Sequence, residues 1–230
     1  MNRLDLFKDK KILITGHTGF KGSWLTIWLK NLGGKILGIS LRPQTIPSNY
    51  YDCEVSKNIK TVFINIQNKK KLEKIVNSFK PDFVFHLAAQ SIVLKSFNEP
   101  INTWNTNLIG TMNLLESLKK LTKKCVVVLV TSDKCYKNVG SHKGYKETDR
   151  LGGDDPYSAS KASCEILINS YINSFFNKKR NKIRICSVRA GNVIGGGDWS
   201  KYRLLPDCIS SIFNKKIIKI RNPHSTRPWQ

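Results

Sequence analysis

Short runs of apolar, largely β-branched residues alternate along this chain with longer stretches whose apolar positions recur at helical spacing. The runs at residues 11–15, 35–40, 61–64, 82–87, 125–131 and 183–189 predict strands, and residues 20–32, 68–79, 103–120 and 156–176 predict helices between them. Gly33 and Gly34 suit the end of the first helix. The strands are apolar throughout rather than alternating, which fits a parallel sheet covered on both faces. The pattern therefore predicts an α/β fold, a doubly wound parallel sheet of the Rossmann type, over residues 1–190. After Arg189 the texture changes to Ala-Gly-Asn-Val-Ile-Gly-Gly-Gly-Asp-Trp, a glycine-rich stretch expected to leave the sheet and open a small second lobe over residues 191–230. Within that lobe residues 217–220 read as one more strand. No internal repeat or low-complexity linker interrupts the pattern.

The first strand runs into Thr15-Gly16-His17-Thr18-Gly19-Phe20-Lys21-Gly22, and the first predicted helix starts at the end of that stretch. Glycines there permit a tight turn and a close approach of backbone to ligand, and the helix start offers amides to a pyrophosphate. Gly16, Thr18, Gly19, Phe20 and Gly22 are accordingly candidate dinucleotide contacts, against the plainer possibility of a glycine-rich turn without a ligand. The second strand ends in Ser40-Leu41-Arg42, where an acidic residue would select a free ribose and a basic one a 2′-phosphate. Arg42 can face such a phosphate or simply be solvated, so these residues leave NAD and NADP both open.

Two further motifs carry chemistry. Tyr157 and Lys161 stand four residues apart on a predicted helix, hence on one face, where the ammonium can favour the phenolate and make Tyr157 a general base. Alone this spacing describes many solvated helices; downstream of the glycine loop it points to redox chemistry on an alcohol. At the end of the 125–131 strand comes Ser132-Asp133-Lys134. Strand ends in such sheets face the ligand crevice. Ser132 can hold a reacting hydroxyl, Asp133 can act as an acid and Lys134 as a base; an Asp133/Lys134 surface ion pair reads equally well.

Composition narrows the class. With 230 residues and a mean hydropathy of −0.32 the chain has the makings of one principal globular domain. Its longest apolar run, residues 126–130, is too short to span a membrane. The N-terminal residues show no apolar core of a signal peptide, so a cytoplasmic protein is expected. Six cysteines lack paired spacing and are expected as buried, reduced thiols; four histidines, at 17, 86, 142 and 224, are scattered, and no metal is expected. The formal charge of +23 comes from lysines spread along the whole chain, as in Asn68-Lys69-Lys70-Lys71 and Asn177-Lys178-Lys179-Arg180. Neither run interleaves aromatic residues for base stacking, so the charge is read as lysine-rich composition, without specific nucleic-acid binding. Such a field still favours a substrate carrying a pyrophosphate.

The glycine loop, the Tyr-x-x-x-Lys pair and the strand-end serine together resemble the extended short-chain dehydrogenase/reductase superfamily, in its nucleotide-sugar branch. Thr-Gly-His-Thr-Gly-Phe-Lys-Gly-Ser-Trp-Leu from Thr15, His-Leu-Ala-Ala-Gln from His86, Thr-Ser-Asp-Lys-Cys-Tyr from Thr131 and Arg-Ala-Gly-Asn-Val-Ile-Gly-Gly-Gly-Asp-Trp from Arg189 are more narrowly similar to its 4,6-dehydratases acting on CDP-glucose. The resemblance implies NAD held tightly through an internal redox cycle, with Leu87, Ala88 and Ala89 beside it. It implies catalysis by Ser132, Asp133, Lys134, Tyr157 and Lys161, and substrate contacts from Gln90, Asn107, Asn192 and Arg227. A homodimer through the helices at 103–120 and 156–176 is the superfamily habit. Family members continue beyond the position of Gln230, which implies an incomplete substrate lobe and weak turnover. A 4-epimerase would share Ser132, Tyr157 and Lys161 but has no use for Asp133-Lys134; a silent dinucleotide-binding module is the remaining alternative.

Overall fold

The computed structural model describes residues 3–57, 59–140, 143–177 and 181–230. Six parallel strands, β1 (Lys11–Thr15), β2 (Lys35–Ser40), β3 (Lys60–Phe63), β4 (Phe83–His86), β5 (Cys125–Val130) and β6 (Ile183–Val188), stand in the order β3-β2-β1-β4-β5-β6. Helices cover both faces. On one lie α3 (Lys69–Phe79), α6 (Gly110–Lys119) and α7 (Pro156–Tyr171), whose Leu72, Val76, Leu114, Leu115, Leu118 and Ile168 pack on Leu13, Leu37, Val84, Val127 and Leu129. On the other lies α1 (Phe20–Asn31), with Leu29 against Ile12, Ile14 and Ile36. β1 and β2 are thus buried on both sides, while β5, though an equally unbroken apolar run, leaves Val126 exposed. The strand order reverses between β1 and β4, and the crevice outside the carboxyl ends of the strands opens at that switch point. The doubly wound Rossmann fold expected from the pattern is the fold observed.

Several boundaries have local causes. Asn68 caps α3, its Oδ1 accepting from the Lys71 amide at 3.1 Å. Gly33, at φ +79°, ends α1 in the left-handed conformation that favours glycine. Asp155 caps α7 through the Ser158 amide (2.9 Å) in a capping box, with Pro156 in the first turn. The helix predicted at 103–120 starts earlier, as α5 (Pro100–Trp104), and passes through a π turn (Asn105–Ile109) into α6. A second π turn (Ile172–Phe176) follows α7. Short helices α2 (Asn49–Asp52) and α4 (Val93–Asn98) escaped the pattern because they lack the length for a periodic signal.

Beyond β6 the chain leaves the sheet and forms α8 (Leu204–Phe213), which the pattern did not single out and which buries none of its residues. The strand expected at 217–220 is not formed. That segment lies exposed, with no neighbouring strand to pair with, and an apolar run without a partner edge does not become a strand. The expectation for the cysteines also needs correcting. All six are free, and Cys125, Cys135 and Cys164 are buried, but Cys53 and Cys186 are exposed. Cys186 sits on the edge strand β6, whose side chains alternate toward the outside. His142 and the basic residues 178–180 lie outside the described residues. Among the described residues no helix is long and apolar enough to cross a membrane, and no cluster of three or more metal-ligating side chains occurs.

Candidate active site

At the head of the crevice, Gly16 adopts φ +77°, and a Cβ there would stand 2.7 Å from the Ala88 amide nitrogen. A Cβ on Gly22 would stand 2.0 Å from the Gly16 carbonyl oxygen. The loop can therefore close against both β4 and α1 only with glycine at these positions. Gly19, the residue before α1, offers no side-chain cap, so the first amides of the helix face outward, as an anion site requires. These features fit a pyrophosphate cradle. Gly22→Ala is expected to lower stability by about 1–3 kcal/mol, the usual cost of overpacking against rigid backbone. A thermal melt of the variant checks it; an unchanged midpoint would show that the loop yields.

Thr18 ties the loop to the end of β2: its hydroxyl donates to the Leu41 carbonyl (3.0 Å) and lies 2.7 Å from Ser40 Oγ. Phe20 turns the other way, its ring 3.1 Å from where a Cβ on Gly195 would stand. It borders an apolar cleft of about 460 Å³ with Trp24, Trp28 and Ile194. Arg42 is exposed and lies 4.7 Å over the Phe63 ring, an arrangement that orients the guanidinium without a carboxylate. Leu87, Ala88 and Ala89 follow β4 alongside the glycine loop, where the Leu87 and Ala88 amides donate to Thr15.

Gln90 and Asn107 occupy a different place from the substrate contacts expected of them. The Asn107 side chain accepts from the Gln90 amide (2.8 Å) and donates to the Gln90 carbonyl (3.1 Å) and Ser160 Oγ (2.9 Å). The Gln90 side chain is in turn engaged with Thr103 and both backbone groups of Ile92. Both side chains are buried and join the end of β4 to α7, with Asn107 carried by the π turn.

Ser132, Asp133 and Tyr157 converge at the end of β5. Ser132 Oγ lies 3.0 Å from Asp133 Oδ1, and the same side chain hydrogen-bonds the Tyr157 phenol. The Asp133 amide donates to the Ala190 carbonyl, holding this turn against the end of β6. No ion pair joins Asp133 to Lys134 among the described residues, so the surface-pair reading of the two fails. Tyr157 and Lys161 are both buried on α7.

Electrostatics there departs from the expectation of a Lys161-stabilised phenolate. Burial pushes the Tyr157 phenol above its ordinary value; the Ser132 hydrogen bond and the Arg203 charge pull it down, and Asp133 and Asp155 push it up. Burial lowers Lys161 in turn, partly offset by Cys164, Glu165 and Cys135. Desolvation outweighs the neighbouring charges because both groups lie inside the protein. Beneath them Glu165 accepts from Thr131, from Ser187 (2.9 Å) and from Arg189 (2.8 Å), and Arg189 reaches on to the Tyr136 hydroxyl (2.8 Å). This buried set locks α7 to the ends of β5 and β6.

Two charged side chains that the motifs did not mark also face the crevice. Lys21 is lowered mainly by burial, then by the Arg203 and Lys161 charges, and is raised by Asp133 and Asp198. Its signal in the sequence is a lone lysine between the loop glycines at 19 and 22. Arg203 pairs with Asp198 at 2.8 Å and donates to Ser91 Oγ at 3.0 Å. Farther out, Asn192 lies beside the C-terminal segment: its amide donates to the Pro228 carbonyl (3.2 Å), and the Gln230 amide donates to its carbonyl (2.8 Å). The last residues are thus tied to the glycine-rich stretch rather than frayed. Arg227 in this segment is exposed, its guanidinium donating to the Thr226 carbonyl at 2.9 Å.

A family model described as GDP-mannose 4,6 dehydratase matches residues 13–230. Over 229 residues the chain is 44% identical to the CDP-glucose 4,6-dehydratase of Salmonella typhimurium, covering 98% of this chain and 64% of that protein. It is 33% identical to the dTDP-D-glucose 4,6-dehydratase of Dictyostelium discoideum, covering 94% of this chain and 50% of the relative. The chain therefore spans between half and two thirds of the length of these relatives. In fold it is similar to the UDP-glucose 4-epimerase of Thermus thermophilus solved in complex with NAD, with a TM-score of 0.71, 27% identity, and coverage of 84% of this chain and 58% of that one. An epimerase from Methanothermobacter thermautotrophicus matches all of this chain and 66% of its own, with a TM-score of 0.83 at 24% identity. By the reach of the family model and the identity to these dehydratases, the chain belongs to the GDP-mannose 4,6 dehydratase family, within the extended short-chain dehydrogenase/reductase superfamily.

Proposed function

We propose that this chain carries the cofactor-binding and catalytic part of a CDP-glucose 4,6-dehydratase. The observation that carries the reading is the convergence of Ser132, Asp133 and Tyr157 at the crevice mouth, with Lys161 beneath and the glycine cradle alongside. Identity to the Salmonella relative supports CDP-glucose as the substrate. The fit of Gly16, Gly22 and the open helix start to a pyrophosphate supports a dinucleotide, and the NAD complex of the Thermus relative supports NAD.

NAD supplies reversible hydride storage, regenerated within each turnover. Gly16, Gly19, Gly22 and the first amides of α1 hold its pyrophosphate, with the 87–89 segment packed alongside. Ser132 holds the sugar 4-hydroxyl while Tyr157 takes its proton, and Lys161 supports the charged phenol. The ketone formed at C4 acidifies C5. Lys134 removes the C5 proton and Asp133 protonates the departing 6-hydroxyl, so that water leaves; the hydride taken from C4 returns to C6 and a proton to C5, which restores the cofactor and gives the 4-keto-6-deoxy sugar. Epimerisation requires no group to expel a hydroxyl, and Asp133 bonded to Ser132 has no part in it. Residues 191–230 form the start of the substrate-facing lobe, in which Asn192 and Arg227 approach the diphosphate; an exposed guanidinium suits that ligand. A cytoplasmic location and pairing of two copies through the helices at 103–120 and 156–176, which expose Ile109 in the π turn and Ile166 on α7, complete the reading.

Incubation of the purified chain with CDP-glucose and NAD is expected to yield a 4-keto product lighter by one water, detected by mass and by its absorbance in alkali. NAD binding without any product would leave this chain as a binding module and end the dehydratase reading for it.

A further inference from the structure

The turn that carries Asp133 and Lys134 is held at both ends from one place. It is a single 3₁₀ turn, Asp133–Cys135, capped by Ser132 just after β5. On its entry side the Asp133 amide donates to the Ala190 carbonyl at 3.1 Å, and on its exit side the Tyr136 amide closes back on the Asp133 carbonyl at 3.2 Å. Tyr136 in turn meets Arg189, whose guanidinium donates to the phenol oxygen at 2.8 Å and lies 4.8 Å from the ring centre. Two consecutive residues at the end of β6, Arg189 and Ala190, therefore grip the two sides of the turn.

Arg189 is itself fixed. Its Nη2 pairs with the buried Glu165 carboxylate on α7 at 2.8 Å, while Nη1, which bonds Tyr136, also donates to the Glu147 carbonyl at 3.1 Å. A planar guanidinium engaged with three acceptors on three segments has one orientation. The chain beyond Tyr136 is gathered in as well: the Lys137 amide donates to the Arg150 carbonyl and the Gly152 amide to the Cys135 carbonyl, both at 2.9 Å. Among the described residues no hydrogen bond from the Arg189 side chain goes to Ser132, Tyr157 or Lys161. Its hold is on the turn and the segment after it.

We propose that Arg189 is a positioning residue for the elimination half of the reaction: through Tyr136 it sets where Asp133 and Lys134 stand, and it leaves the hydride half, run by Ser132 and Tyr157, to other contacts. The inference rests on the reading of the chain as a 4,6-dehydratase, in which Asp133 and Lys134 act after the 4-ketone has formed.

Tyr136→Phe tests it, since this change removes the hydroxyl that Arg189 holds and keeps the ring, which stacks on Tyr145 at 5.0 Å. In the ligand-free chain, amide hydrogen exchange at Tyr136 and Gly152 is expected to quicken about tenfold, the effect of losing one hydrogen bond to a charged group, while the amides of β1 keep their rates. With CDP-glucose and NAD, kcat is expected to fall by up to about 10²-fold, the cost of a displacement of about 1 Å, with KM close to that of the parent chain. Bound NADH is expected to accumulate in the variant, because hydride leaves C4 as before and water does not follow. Arg189→Lys keeps a charge opposite Glu165 without the fork and is expected to give the same split; if it does not fold, Tyr136→Phe decides. Unchanged exchange around the turn in Tyr136→Phe overturns the proposal. So does an unchanged kcat, or a fall in kcat without accumulated NADH, which would place the defect in the hydride step. A parent chain that forms no product defeats the dehydratase reading instead, and the exchange rates then decide by themselves whether Arg189 holds the turn.

Discussion

Tyr157→Phe is expected to lower kcat for the proposed dehydration by about 10²- to 10⁴-fold, the range for losing a positioned general base, while NAD affinity stays close to that of the parent chain. The ring is buried and phenylalanine fills the same volume, so the variant removes one hydroxyl and its hydrogen bond to Ser132. Because burial raises the phenol and keeps it protonated, kcat of the parent chain is expected to climb as the solution becomes more alkaline. The Phe variant loses that dependence along with its rate. Product formation measured across a pH series, beside an NAD titration of both proteins, checks both parts. Turnover near the parent rate would remove Tyr157 from the reaction.

Glu165→Ala is expected to be the most damaging change to stability, at about 3–5 kcal/mol, because it leaves the largely buried Arg189 without its carboxylate. Glu165→Gln is expected to cost less, since it keeps an acceptor for Thr131 or Ser187. Burial by itself would raise the Glu165 carboxyl; the hydrogen bonds from Arg189, Thr131 and Ser187 outweigh it and hold the group below its ordinary value. A carboxyl depressed in the folded state adds stability that is present above its unfolded pKa and is lost as pH falls through the folded one. The difference in urea midpoint between parent and Glu165→Ala is therefore expected to be widest at neutral pH and to narrow in acid. A gap that stays constant with pH would mean that packing, not charge, carries the cost.

What could be read from the sequence follows from how local each signal is. Strands β1, β2, β4 and β5 announced themselves as apolar runs, and α3 and α7 as segments of helical length between them. The glycine loop was legible for the same reason: Gly16 and Gly22 serve contacts within one turn of backbone. Residues 217–220 misled because an apolar run states what a segment prefers and not whether an edge is there to receive it. The site was legible as far as its residue types. Asn107 and Gln90 were found, but in the structure they hold each other. Arg203 was invisible because its bond to Ser91 joins residues 112 apart in the chain, and no local spacing encodes that meeting.

The π turn at Asn105–Ile109 has a consequence for the evolution of this chain. A π turn holds one residue more than the α turn it replaces, and each helical residue advances the side chains by roughly a quarter turn. Deleting any one residue there would yield a smoother helix and a worse protein. Either Asn107 would keep its grip on Gln90 and Ser160 while Leu114, Leu115 and Leu118 rotated out of the core, or the leucines would stay and the asparagine would swing away. The irregularity is a phase correction that lets one helix place both Asn107 and the core leucines, so the length of the turn matters as much as the asparagine in it.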